Sequence, residues 1–218
     1  MKLLKIEGIP GPGAKIYSTI VAGSPVMQDF YREVTGEIAS KVSSGKILDI
    51  GTGPGYVPIE VARTSQNVEI KAIDISSAMV MIARQKAEDA GLSQRVQFEC
   101  GSAEHIPYGD EYFDLVVSTL SFHHWANRTE CLKEMHRVLK TGGEAWIYEI
   151  RKDTTKEAKK QLKDRYGRFL SFIVLYLVRL HSAMKLQEFE KIISLPQLGF
   201  SEMTIEDRGL ALKLRLLK

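Results

Sequence analysis

An α/β fold built on a doubly wound, mostly parallel sheet and closed by a terminal antiparallel hairpin is what this sequence predicts. Three observations lead there. Short apolar runs alternate with amphipathic helical stretches through residues 44–150, and strands joined by helices of that length pair in parallel through right-handed crossovers. The first apolar run passes directly into three glycines spaced two apart, in KILDIGTGPGY at 46–56. The last two strand-like runs are joined through Asp207-Arg208-Gly209, the pattern of a hairpin.

Taken in order, residues 8–25 hold four glycines and three prolines and form a lead-in rich in turn signals. After Ser24-Pro25, the residues Met27, Phe30, Tyr31, Val34, Ile38 and Val42 recur at spacings of three and four. That period predicts a helix with Tyr31 on its core face, stopped by Ser43-Ser44-Gly45. KILDI (46–50) suits a strand buried on both faces. YVPIEVARTS (56–65) is a helix with an early proline, and VEIKAIDI (68–75) is the second strand. SAMVMIARQKAEDAG (77–91) is an amphipathic helix ending at Gly91. RVQFEC (95–100) and FDLVVSTL (113–120) are strands three and four. RTECLKEMHRVLKTGG (128–143) is a helix with Cys131, Leu132, Met135, Val138 and Leu139 on its apolar side, closed by a Gly-Gly turn. EAWIYEI (144–150) is the fifth strand; LGFSEMTIED (198–207) and LALKLRLLK (210–218) make the hairpin.

The 218 residues suffice for one domain with a sizeable core. Hydrophobic and charged contents of 44% and 26% are those of a soluble globular protein. A net charge of +3 is too small to indicate a nucleic-acid partner. Cys100 and Cys131 have neither a CxxC nor a Cys/His ligand spacing, so a reducing cytoplasm is expected. Glu7 and Pro10 interrupt the first apolar run, which argues against a signal peptide. No stretch reaches the roughly 18–20 apolar residues of a membrane span. His105, His136 and His181 are scattered, and no metal is expected.

In an open parallel sheet, ligands bind at the carboxyl ends of the strands, where the chain order reverses. Gly51, Gly53 and Gly55 let a ligand approach the backbone there, and Asp74, closing the second strand, is placed to accept hydrogen bonds from a ribose diol. Together they indicate a nucleoside-containing cofactor. Dinucleotide sites carry GxGxxG, whereas Tyr56 stands where the third glycine would fall, and Asp49 precedes the first glycine by two.

LDIGTGPG resembles the [D/E]xGxGxG signature of the class I S-adenosylmethionine-dependent methyltransferases, of the type 11 or ubiquinone/menaquinone kind. IKAIDISSAMVMIARQKA (70–87), VQFECGSAEHIPYGDEYFDLVVSTLSFHHW (96–125) and EMHRVLKTGGEAWI (134–147) resemble further segments of that family in the right order. The resemblance implies a Rossmann-like, seven-stranded sheet of order 3-2-1-4-5-7-6. It implies that Asp49, Gly51, Thr52, Gly53 and Gly55 line the methionine and ribose portion of S-adenosyl-L-methionine. Asp74 would hold the ribose hydroxyls, and Ile75 and Met79 would flank the adenine. Ser102, Ala103 and Glu104 would form the turn at the adenine edge; many members have Asp where Ser102 stands. Thr119 and Leu120 would approach the methionine moiety, and Tyr17 would close over the cofactor as part of a lid. The product would be S-adenosyl-L-homocysteine. One methyltransferase domain is expected over 1–218: a lid and helix at 1–43, a cofactor-binding core at 44–150, a helical substrate cap at 151–196 and the hairpin at 197–218.

Methyl transfer needs orientation, exclusion of water and, for some acceptors, a base. His123 and His124, leaving the carboxyl end of strand four, are the candidate catalytic residues. The insert joins a basic run at 151–168 to the apolar FLSFIVLYLVRL at 169–180. A helix apolar around most of its circumference is expected to pack against something: the active site, a dimer partner, a lipophilic acceptor or a membrane surface. The absence of NPPY or DPPY after strand four argues against exocyclic base amines and nucleic acid. Small-molecule or lipophilic acceptors remain, for a monomer or homodimer. Rival readings are an NAD(P)-dependent oxidoreductase, disfavoured by Tyr56 and the hairpin, and a non-catalytic S-adenosylmethionine-binding protein, which would be expected to show damage at the glycine loop or Asp74.

Overall fold

The computed structural model describes residues 23–181 and 183–218; Tyr17 and the rest of the expected lid lie outside them. Strands β1 (Ser44–Ile50), β2 (Asn67–Asp74), β3 (Val96–Cys100), β4 (Phe113–Thr119), β5 (Leu139–Arg151), β6 (Ala183–Met184), β7 (Glu202–Arg208) and β8 (Ala211–Leu217) form one sheet. Its order is β3-β2-β1-β4-β5-β8-β7, with the two-residue β6 paired to the end of β5 outside that path. Counting the seven long strands alone, this is the expected 3-2-1-4-5-7-6. Pairings from β3 to β5 are parallel, and those of β5 with β8 and of β8 with β7 are antiparallel.

Strand alternation divides the apolar residues between two cores. Leu48 and Ile50 of β1 and Val116 of β4 face one layer, with helices α4 (Arg128–Val138) and α7 (Leu186–Ile193). Ile47, Leu115 and Val117 face the other, with α1 (Pro25–Lys41), α2 (Tyr56–Thr64) and α3 (Ser77–Asp89). Both faces of the central strands are therefore covered, which is why KILDI and DLVVS are continuous rather than alternating in hydrophobicity. The register sets Ile50 level with Ile73 and Ser118, so β1, β2 and β4 end along one edge.

The structure departs from expectation at 139–143. Helix α4 stops at Val138, and β5 begins at Leu139, which pairs with Phe113 before the register shifts at Leu115. Gly143 serves this irregularity rather than a helix end: a Cβ there would lie 2.9 Å from Lys140 O and 3.0 Å from Asp114 O. The insert forms α5 (Lys156–Tyr166) and α6 (Arg168–His181). Val26, Met27, Leu120, Ile150, Leu162 and Val174 make a third, smaller core joining α1, the end of β5 and this insert. Ser171 and Val174 of α6 are buried, while Phe169, Phe172 and Tyr176 are 80%, 68% and 54% exposed. Over residues 168–176, then, α6 has one side covered and the other exposed.

Candidate active site

The turn after β1 is held by its own backbone. Gly51 and Thr52 N–H both donate to Ile73 O, at 2.8 and 3.0 Å, and Gly55 N–H donates to Thr52 O. Gly51, Gly53 and Gly55 all have positive φ, of 69°, 53° and 78°, which favours glycine at each. What surrounds them differs. A Cβ on Gly51 would meet Ser121 Oγ at 2.2 Å, and one on Gly55 would meet the Phe98 ring at 2.9 Å and Ala83 at 3.0 Å. A Cβ on Gly53 would have nothing within 4 Å. Two glycines thus serve the protein's own packing, and only Gly53 opens onto free space.

Asp49 is buried beside this loop, and its Oδ1 has no partner. Burial, with a smaller contribution from the Asp74 charge, raises its pKa to about 7. Asp74, at the end of β2, accepts from Gly53 N–H at 2.7 Å through Oδ2 and from Ser76 N–H at 2.8 Å through Oδ1. Burial outweighs both bonds and pushes its pKa up as well. Each oxygen retains acceptor capacity for a ligand hydroxyl. Just beyond, Ile75 is 46% exposed, and Met79 is buried with its N–H on the Ser76 hydroxyl, the N-cap of α3.

The turn after β3 is closed by its own groups. Ser102 Oγ accepts from Glu104 N–H at 3.2 Å, Glu104 Oε1 accepts from Asn127 N–H at 3.1 Å, and Ala103 packs on the core. The hydroxyl and the carboxylate at this turn thereby tie the loop down and fix the start of α4.

At the end of β4, Leu120 adopts φ 56°, rare for a branched side chain, with its N–H on Tyr148 O. Ser121 Oγ lies 2.7 Å from Ser118 Oγ and donates to Ile50 O. A 3₁₀ turn, Phe122–His124, follows. Arg128 reaches back to donate to the carbonyls of Phe122 and His123, both at 3.2 Å. His123 Nδ1 is 2.9 Å from Glu149 Oε2, and His123 N–H donates to Glu149 Oε1 at 3.1 Å. The His124 ring lies 3.9 Å from that of His123, centroid to centroid.

Asp49, Thr52, Gly53, Asp74, Thr119 and His123 thus gather along the carboxyl edge of β1, β2 and β4. Of the buried polar side-chain atoms without a partner among the described residues, all but Tyr108 Oη belong to this edge: Asp49 Oδ1, Thr52 Oγ1, Thr119 Oγ1 and His123 Nε2. Buried polar groups are ordinarily paired, so this edge has the donors and acceptors of a binding site. Glu149 was not among the sequence candidates. Its signal was an acid inside the otherwise apolar WIYEI, and it is fully buried.

Residues 48–147 match the family model described as a methyltransferase domain. Over 108 residues the chain is 38% identical to the ubiquinone/menaquinone biosynthesis C-methyltransferase UbiE of Geotalea daltonii, covering 49% of this chain and 46% of that one. It is 36% identical over 110 residues to the methyltransferase GfsG of Streptomyces halstedii, covering 50% of this chain and 39% of that one. The match therefore spans less than half the length of these curated relatives. A Methanococcus maripaludis structure provisionally described as an S-adenosyl-L-methionine-dependent methyltransferase superposes with a TM-score of 0.76 at 25% identity, covering 95% of this chain and 93% of the other. A Haemonchus contortus phosphoethanolamine N-methyltransferase solved with S-adenosylhomocysteine shares the fold, with a TM-score of 0.66 at 20% identity over 91% of this chain and 44% of that one. Sheet order, glycine loop and matched core agree: over residues 48–147 the chain is similar to a methyltransferase domain, on the fold that S-adenosyl-L-methionine-dependent methyltransferases adopt.

Proposed function

We propose that this protein transfers a methyl group from S-adenosyl-L-methionine to a small or lipophilic acceptor, releasing S-adenosyl-L-homocysteine. The observation that carries this reading is the pair of buried, unpartnered atoms Asp49 Oδ1 and Thr52 Oγ1 beside Gly53, the one of the three loop glycines that opens onto free space. Asp49 pairs with the cofactor's ammonium, and the loop Gly51–Gly55 lines its methionine and ribose. Asp74 accepts from the ribose diol, with Ile75 and Met79 beside the adenine and the 102–104 turn at its edge. Since Ser102 Oγ and the Glu104 carboxylate already hold the turn, the Ala103 backbone makes the adenine contact. Thr119 and the backbone at Leu120 face the methionine. Bound there, the cofactor supplies a methyl already activated on a sulfonium. The chain's own work is to orient the acceptor, exclude water and take a proton where the acceptor must lose one.

The core at 44–150 binds the donor, and the insert at 151–196 caps the acceptor. The exposed Phe169, Phe172 and Tyr176 on α6 follow a helix carrying Lys156, Lys159, Lys160 and Lys163. This combination supports a lipophilic acceptor drawn from an anionic membrane surface by a cytoplasmic protein, monomeric or dimeric. Among the described residues no helix is long and apolar enough to cross a membrane.

Equilibrium titration with S-adenosyl-L-methionine, S-adenosyl-L-homocysteine and NADH tests the reading. Binding of the first two alone is expected, lost in Gly53→Val and weakened by about 1–3 kcal/mol in Asp74→Ala. Unchanged affinity in both variants would overturn the site.

A further inference from the structure

We infer that Glu149 is a positioning residue that fixes His123 as the base of this site, and that the acceptor belongs to the protic acids: a phenol- or enol-type hydroxyl, or a carbon acid. The inference rests on the methyl-transfer reading above and deepens it.

Glu149 is fully buried in β5, and the hydrogen bonds at its carboxylate both come from His123. The backbone N–H of residue 123 can only donate, so Oε1 accepts it. An ionised carboxylate only accepts, so Oε2 accepts in turn from Nδ1–H. The proton on Nδ1 leaves the lone pair on Nε2. That atom is buried and without a partner, on a side chain only 9% exposed. A histidine kept for structure would have both nitrogens satisfied. Here one side is clamped through ring and backbone, the turn is pinned by Arg128, and the other nitrogen is left to accept. The titratable or charged groups in contact with residue 123 among the described residues are Glu149 from β5 and His124 from the same turn, at the ring, and Arg128 from α4, at the backbone carbonyl.

Such a base is wasted on a pyridine-type nitrogen or a thioether, which has no proton to lose and attacks through a lone pair it already has. A hydroxyl or carbon acid must lose its proton to become a nucleophile. The acceptor's H–O or H–C bond breaks and the proton moves to His123 Nε2. The electron pair left on the acceptor forms the new bond to the transferred methyl, whose former bonding pair stays with the donor's sulfur.

Imidazole nitrogen shifts of the ¹⁵N-labelled full chain test the first half, with His123 assigned by comparison with His123→Asn. At pH 8 the expected species is protonated at Nδ1 and bare at Nε2. In Glu149→Gln, whose amide can donate to Nδ1, the population should move to the Nε2–H form, and Glu149→Asp should restore the original one. Nε2–H in the wild-type chain, or the same tautomer in Glu149→Gln with the circular dichroism spectrum unaltered, overturns the inference. The second half is tested with radiolabelled S-adenosyl-L-methionine, offering catechol, 1,4-naphthoquinol and acetylacetone against quinoline and thioanisole. Transfer to members of the first group is expected, with kcat/KM about 100-fold lower in His123→Ala and the acid limb of the pH profile moved in Glu149→Gln. Transfer to quinoline or thioanisole alone, or to none of the protic probes, overturns the acceptor class. Absent cofactor binding would defeat the methyl-transfer reading itself; intact binding with the wrong tautomer defeats only this one.

Discussion

Position 51 and position 53 carry the same residue type for opposite reasons. A methyl on Gly51 would collide with Ser121, whose hydroxyl is committed to Ile50 O and shares a short contact with Ser118. Gly51→Ala should therefore lower the thermal midpoint well beyond Gly53→Ala, which carries only the left-handed backbone penalty of about 1–2 kcal/mol. Equal losses in calorimetry would contradict the distinction. Asp49 gives a pH prediction. Its folded pKa of about 7 exceeds its ordinary value of 3.8, so its contribution to stability is full below about pH 4 and is lost as pH rises through 7. In the ligand-free protein, Asp49→Asn should gain stability over wild type at pH 8, by at most about 4 kcal/mol, with no such gain at pH 4. Denaturant midpoints at the two pH values measure it. Wild-type affinity for the cationic cofactor should rise across the same interval, with proton release seen as buffer-dependent calorimetric heats. The motif made the glycines and both aspartates legible. It could not separate packing glycines from an open one, because that depends on Ser121, Phe98 and Ala83, which lie far away in sequence. Glu149 was illegible for a related reason: its partner arrives from another strand's loop.

Among the elements, β5 is the one the sequence misplaced. The Gly-Gly pair signalled a helix stop, whereas the chain enters the strand at Leu139, five residues before the expected start, and uses Gly143 to let two carbonyls pass close by. A turn and an irregular strand start share the same residue types, so period alone could not decide. The strand's other surprise is Glu144, which accepts from Lys41 at 2.6 Å, from Arg215 at 2.8 Å and from the Trp146 indole at 2.7 Å. The Arg215 bonds lead in holding its pKa down at about 2. Its stabilisation is present above its ordinary pKa of 4.5 and is lost as pH falls toward 2. Glu144→Gln should destabilise by roughly 1–3 kcal/mol at pH 7, and the difference should shrink at pH 2–3. Acid unfolding curves of the two proteins would show it.

At the scale of the whole molecule, alternation of strands and helices was enough to define the doubly wound sheet, and the resemblance supplied its order. How the insert seats was not readable, because the contacts join distant parts of the chain. Asp29 of α1 accepts from Arg165 and from the Tyr166 hydroxyl, each at 2.6 Å, and the third apolar core lies beside them. Asp29→Ala should speed hydrogen exchange in α5 while leaving amides of β1 and β4 protected. Uniform acceleration, or none, would contradict a local tie between Asp29 and the insert. The clasp between Gly51 and Ser121 has a wider reach. The hollow where position 51 lacks a side chain is filled by the residue that begins the histidine turn, so the nucleoside cradle and the proton acceptor are keyed together like tongue and slot. Displacing either drags the other along, and any remodelling toward a new acceptor must keep both halves of that joint in step.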